Sequence, residues 1–147
     1  MAQTKSDRDH VQELMAVYAG ALDCKDYDGI AACFLPDAVV EYTGFSGNTA
    51  GCAAIIDHMK LALGPLDATQ HLFANFIIDI EGNSARLTCD IIAQHVLRGA
   101  PGGDTYLAGG KYDVRLEKLD GQWRFARILA NSVWGDGNRD MLPKAGG

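Results

Sequence analysis

Residues 71–97 read HLFANFIIDIE, then GN, then SARLTCDIIAQHVL. The first run is rich in Phe and Ile. Gly82-Asn83 is turn chemistry, because both residues tolerate left-handed backbone. After it, Ala85, Leu87, Cys89, Ile91, Ala93 and His95 alternate onto one face, the period of a strand. The stretch therefore predicts an antiparallel hairpin of strands 71–81 and 84–97. Downstream, Gly99 to Gly103 is a loose connection. Thr105 to Leu119 is a third strand, Asp120-Gly121 a tight turn, and Gln122 to Trp134 a fourth strand. From Gly135 the chain is polar and Gly-rich, and it is expected to be a mobile tail.

Upstream the period changes. Ser6 with Asp9 has the form of a capping box. Val11, Leu14, Met15, Tyr18 and Leu22 then follow at helical spacing, predicting an amphipathic helix over residues 7–23. A short second helix is expected over Tyr27 to Phe34, broken by Pro36-Asp37, with a short β run at Ala38 to Thr43 and a loop at Phe45 to Thr49. Ile55, Ile56, Met59 and Leu63 mark a third helix, ended by Gly64-Pro65. Helices followed by a long meander make an α+β fold with the helices on one face of the sheet. Such a sheet, curved around a helix, forms a cone with an apolar cavity, the kind of place small molecules occupy.

The chain has 147 residues and no linker or repeat, so a single domain is expected, with its core at about 8–134 and a tail at 135–147. A formal net charge of −6 without a basic block argues against nucleic acid or an anionic membrane as partner. No apolar run approaches a membrane span, and Met1 to Arg8 is too polar for a signal peptide. Cys24, Cys33, Cys52 and Cys89 form no CxxC pair and read as reduced residues of a cytoplasmic protein.

Asp23 ends the first helix, while His71 and His95 sit within strands. A histidine beside an apolar cavity is a candidate proton-transfer group, because its ordinary pKa lies near neutrality. A buried carboxylate needs a partner. Asp23 and His71 together would form an acid/base dyad. The other reading is that Asp23 caps the next turn and His71 is an ordinary edge-strand residue. His95 either donates to a substrate oxygen or is a core histidine bound to a backbone carbonyl. Tyr18, Tyr42 and Tyr112 can each hold a substrate carbonyl or simply fill half-buried positions. Asn75 shares the strand parity of His71, and Asn131 interrupts the last strand, so both are candidate pocket residues. His10 and His58 are expected to face solvent. Two histidines and one carboxylate lack the compact spacing of a metal triad, so no metal is expected.

The order Asp23, Tyr42, Thr69-Gln70-His71, His95 and Asp120-Gly121-Gln122-Trp123 resembles scytalone dehydratases, in the SnoaL-like branch of the nuclear-transport-factor-2-like (cystatin-like) superfamily. Tyr42 follows Asp23 by 19 positions, as in that pattern. The resemblance runs from about residue 8 to 134. It implies a cone-shaped, curved mixed or antiparallel sheet wrapped around helices, and a lyase that removes water from a small cyclic or partly aromatic hydroxy-ketone without a cofactor. In that scheme His71 is the base, Asp23 orients it, Tyr42 polarises a carbonyl and His95 contacts the departing hydroxyl. Two departures stand out. Leu22 occupies the place of a second tyrosine, and Gly110 and Tyr112 replace a serine and an asparagine. The substrate-holding residues therefore differ from the family's, and scytalone itself is not the expected substrate. The resemblance also leaves room for an isomerase or polyketide cyclase, a dehydrohalogenase, or a non-catalytic small-molecule-binding module. It favours a homo-oligomer, a trimer before a dimer, covering outward apolar residues such as Ile77, Ile92 and Val96.

Overall fold

A computed structural model describes residues 2–43 and 48–143. Helix α1 (Asp7–Cys24) starts with the predicted capping box: the Ser6 hydroxyl accepts from the Asp9 N–H, and the Asp9 carboxylate accepts from the Ser6 N–H. Its apolar stripe of Val11, Met15, Tyr18 and Leu22 is fully buried. The helix ends at Lys25, which adopts φ 53°. Helix α2 (Tyr27–Ala32) is capped by the Asp26 carboxylate, which accepts from the Gly29 N–H at 3.0 Å.

Strand β1 (Phe34–Thr43) begins earlier than the sequence reading placed it, and α2 is correspondingly shorter. Pro36 does not interrupt the strand. It falls in a register irregularity between Phe34 and Val39, where its missing N–H is tolerated. Strand β2 (Asn48–Ala50) occupies the end of the segment expected to be loop; residues 44–47 of that segment lie outside the described residues. Helix α3 (Cys52–Leu63) ends at Gly64 as expected.

The meander follows: β3 (Ala68–Glu81), β4 (Ser84–Val96), β5 (Thr105–Leu119) and β6 (Gln122–Gly137). The sheet order is β2-β1-β6-β5-β4-β3. Only the β1–β6 pair is parallel, so the sheet is mixed, and it curves without closing. The tail expected from Gly135 is not a free tail. Gly135–Gly137 continue β6, Arg139–Met141 form a short 3-10 turn, and the Asn138 side-chain amide donates to the Pro101 and Gly103 carbonyls at 2.9 and 2.8 Å. Residues 144–147 lie outside the described part.

Helix α1 lies in the concave side of the sheet. At its start, the Asp7 carboxylate accepts from the Trp123 indole N–H and from Lys118 Nζ, both at 2.9 Å, pinning the β5–β6 hairpin to the first turn. At its end, Lys25 Nζ donates to the Gly64 and Leu66 carbonyls at 3.1 and 2.6 Å. That contact ties the end of α1 to the segment entering β3. Between these anchors Tyr18, Phe34 and Phe125 meet edge-on, with centroids 5.2–5.6 Å apart. On the outer face Leu72, Ile77 and Ile92 are exposed, whereas Val96 is half-buried. Among the described residues no helix is long and apolar enough to cross a membrane.

Phe125 is fully buried at the centre of the aromatic cluster. Phe125→Ala is expected to cost about 3–5 kcal/mol through lost transfer energy and the cavity left behind. Denaturant unfolding monitored by circular dichroism checks this, and a loss under about 1 kcal/mol would show that this cluster does not hold helix to sheet.

Candidate active site

Asp23 occupies the last turn of α1, facing β3. Its carboxylate gathers donors from one short stretch of that strand. The Thr69 hydroxyl donates to Oδ1 at 3.1 Å, and the His71 backbone N–H donates to Oδ2 at 3.1 Å. His71 Nδ1 lies 2.7 Å from Oδ1. A carboxylate only accepts, so Nδ1 carries the proton and Nε2 of the neutral ring holds the lone pair. Burial pushes the Asp23 carboxyl up, but the hydrogen bonds from the His71 ring, the His71 N–H and Thr69 outweigh it and hold the group below the usual carboxylate range. The Asp23 carboxylate therefore binds Thr69 and His71 and does not cap the following turn; Asp26 fills the capping role.

The His71 side chain is only 9% exposed and forms part of the wall of a cavity of about 150 Å³. His95 lines the same cavity, its ring edge-on to His71 at 6.1 Å between centroids. His95 Nδ1 lies 3.0 Å from the Tyr106 carbonyl oxygen, which can only accept. Nδ1 therefore bears the proton, and Nε2 of the neutral ring is an acceptor. Burial pushes the His95 imidazolium pKa below its ordinary 6.5. His95 is thus bound to a backbone carbonyl through Nδ1–H and also lines the cavity, with Nε2 of the neutral ring left as an acceptor.

Tyr18, Leu22, Tyr42, Tyr112 and Asn131 all line the cavity. Burial raises the pKa of each of the three phenols, so they act as neutral hydroxyls. The Tyr42 hydroxyl lies 3.9 Å from Met59 Sδ. Asn131 Oδ1 accepts from the Thr43 hydroxyl across the β1–β6 pair. Asn75 is not in the cavity wall. Its backbone takes φ 57° at a bulge between Ala74 and Ile77, and its amide donates to Asp90 at 2.8 Å on the exposed side. The bulge breaks the alternation on which the sequence expectation rested.

Two contributions escape sequence reading. His58, expected to face solvent, lines the cavity and stacks on Tyr42 at 5.0 Å with 30° between planes. A signal for it existed: His58 follows Ile55 by three positions and so shares the inward face of α3. Leu142 and Pro143, beyond the 3-10 turn, reach the cavity mouth. On β5, Gly109 makes room for the Trp134 indole, where any Cβ would collide. Among the described residues, no group of three or more His, Cys, Asp or Glu side chains converges as a metal set would.

Because the fold holds His95 neutral below its ordinary pKa, the unfolded chain binds more protons than the folded one as pH falls from about 6.5. His58, lowered by burial, adds in the same direction, and Asp23 adds again at more acidic pH, below 3.8. Folding stability is therefore expected to be full near neutral pH and to fall on acidification, with the His95 ring titrating below 6.5 by NMR. A His95 midpoint above 6.5 would contradict the burial argument.

The profile of the SnoaL-like domain matches residues 3–128. The terrestric acid biosynthesis cluster protein E of Penicillium crustosum is 32% identical over 147 residues, covering 95% of this chain and 91% of that protein. Among solved structures, a provisionally named scytalone dehydratase from Novosphingobium aromaticivorans superposes with a TM-score of 0.83 at 22% identity, covering 96% of this chain and 93% of that one. A hexachlorocyclohexane dehydrochlorinase from Novosphingobium barchaimii gives 0.78 at 17% identity, covering 90% of each. At those identities the structural likeness speaks for the fold alone. Profile, relative and fold agree, and the chain belongs to the SnoaL-like domain family.

Proposed function

We propose that this protein is a cofactor-independent lyase, a dehydratase that removes water from a small cyclic or partly aromatic hydroxy-ketone. The observation that carries the reading is the 2.7 Å contact between His71 Nδ1 and the Asp23 carboxylate at the wall of an apolar cavity. This contact leaves Nε2 as a base of fixed tautomer, and the half-buried carboxylate stabilises the imidazolium that forms.

The elimination balances with one histidine. His71 Nε2 takes the proton α to the carbonyl, and the C–H electron pair becomes an enolate. The Tyr42 hydroxyl hydrogen-bonds the enolate oxygen. The electrons then return to form the C=C bond as the β C–O bond breaks. The leaving oxygen takes the proton from the His71 imidazolium and departs as water. His95, an acceptor in its neutral form, receives the substrate hydroxyl's own proton as a hydrogen bond and turns the leaving oxygen toward His71. Tyr18, Leu22, Tyr112 and Asn131 shape the cavity around the ring.

Among the described lining residues there is no carboxylate, and Asp23 stands behind the imidazole. This lining suits an imidazole base, which favours elimination over an isomerase or cyclase that uses a carboxylate base. A homo-oligomer, trimeric by family resemblance, would cover Leu72, Ile77 and Ile92 on the outer face. The free thiols of Cys24, Cys33, Cys52 and Cys89 accord with a reducing, cytoplasmic setting.

β-Hydroxycyclohexanone is a suitable first substrate, with cyclohexenone formation followed by ultraviolet absorbance. His71→Ala is expected to lower turnover by about 10²–10⁴-fold, the usual scale of a lost general base. Asp23→Asn, which keeps an acceptor but removes the charge, is expected to lower it by less. Equal turnover by wild type and His71→Ala would refute the proposal.

A further inference from the structure

Three phenols reach the cavity from three elements, Tyr18 from α1, Tyr42 from β1 and Tyr112 from β5. Two of the rings are clamped through Phe73. Tyr18 meets Phe34 and Phe125 edge-on and stacks on Phe73, with centroids 6.2 Å apart and 22° between planes. Phe73 also packs on the Tyr112 ring at 5.1 Å. One side chain of β3, two positions after His71, therefore sets the places of both phenols. Tyr18 is only 1% exposed.

The hydroxyls are not tied down in the same way. Among the described residues, neither the Tyr18 nor the Tyr112 hydroxyl makes a hydrogen bond, and neither oxygen is sealed in the core. Both open onto the cavity their side chains line. The Tyr42 hydroxyl faces the Met59 thioether at 3.9 Å, a weak acceptor. A buried hydroxyl without a partner costs free energy that a phenylalanine of the same shape would not. Burial keeps all three phenols protonated, and Tyr18 lies near enough to the other two to feel a charge on either. The cavity therefore presents three O–H donors. The ligand atom that suits them is an oxygen with lone pairs and no proton. A ketone oxygen has two lone pairs and an enolate oxygen three, so the donors are used most fully once charge has moved onto the oxygen.

We infer that Tyr18 and Tyr112 are substrate-binding residues whose hydroxyls, with that of Tyr42, donate to one ketone oxygen of the ligand and hold it more strongly as an enolate. The inference rests on the lyase reading for the enolate, but recognition of the ketone is measurable without turnover.

The test uses NMR titration of the full chain with two ring probes, cyclohexenone carrying a ¹³C carbonyl and methylcyclohexene as a hydrocarbon of like shape. Tyr18→Phe and Tyr112→Phe each delete one hydroxyl and keep the ring. Each is expected to weaken cyclohexenone about three- to tenfold, the scale of one hydrogen bond, and to leave methylcyclohexene unchanged. The carbonyl resonance is expected to move downfield on binding to the wild type and to move back in each variant. Because the deleted hydroxyl has no protein partner, the Tm of ligand-free Tyr18→Phe is expected to equal or exceed that of the wild type. A lower Tm would reveal an internal partner and overturn the inference. So would equal weakening of ketone and hydrocarbon, which would mean that the phenols only pack, or an unchanged cyclohexenone affinity in both variants. A loss confined to one variant would overturn the assignment of the other residue. Failure of the lyase reading is recognised separately, as absent turnover with this ketone selectivity intact.

Discussion

Everything at this site depends on the Asp23 carboxylate and the three donors that β3 offers it. Local physics does not favour an acid there. The C-terminal end of a helix carries partial negative charge, and α1 has no basic residue in its last turn to offset it. Partial burial adds a desolvation cost. The Thr69 hydroxyl, the His71 N–H and the His71 ring together outweigh both. Because two of the three donors belong to His71, the interaction that settles the carboxylate also fixes the ring and its tautomer. Lys25 reinforces the arrangement by binding the carbonyls of Gly64 and Leu66, just ahead of β3. A position that breaks a local rule and is compensated from a distant segment is where function is expected to sit.

Much of the fold was legible because its signals are local. Gly82-Asn83 and Asp120-Gly121 are turns whose left-handed residues are written in the sequence, and the strands they join pair as the alternation predicts. The capping box of α1 needs only Ser6 and Asp9. What was not legible depends on distant partners. Pro36 reads as a breaker until β6 supplies an irregular parallel register that accommodates it. Residues 135–143 read as a tail until Asn138 meets the β4–β5 connection.

The site divides in the same way. Asp23, His71, Tyr42 and His95 were identifiable as residue types in a familiar order, and the fold brings Asp23 to His71 and the other two to the same cavity. Asn75 failed because one bulge inverts strand parity. His58 failed because a histidine on a helix reads as surface unless its spacing from Ile55 is weighed, and its stacking on Tyr42 needs the tertiary structure. Tyr42 and His58 reach the cavity from β1 and α3, and His71 and His95 reach it from β3 and β4.

The claim at the centre of this account is that His71 takes a proton from carbon. The most direct measurement is exchange of the α-hydrogens of cyclohexanone in deuterated buffer, followed by NMR with the wild type and His71→Ala at equal concentration. This readout needs no leaving group and no release of water. The account predicts deuterium incorporation accelerated by the wild type and reduced to the buffer rate in the variant. Wild-type exchange at the buffer rate, or equal acceleration by both proteins, would contradict it.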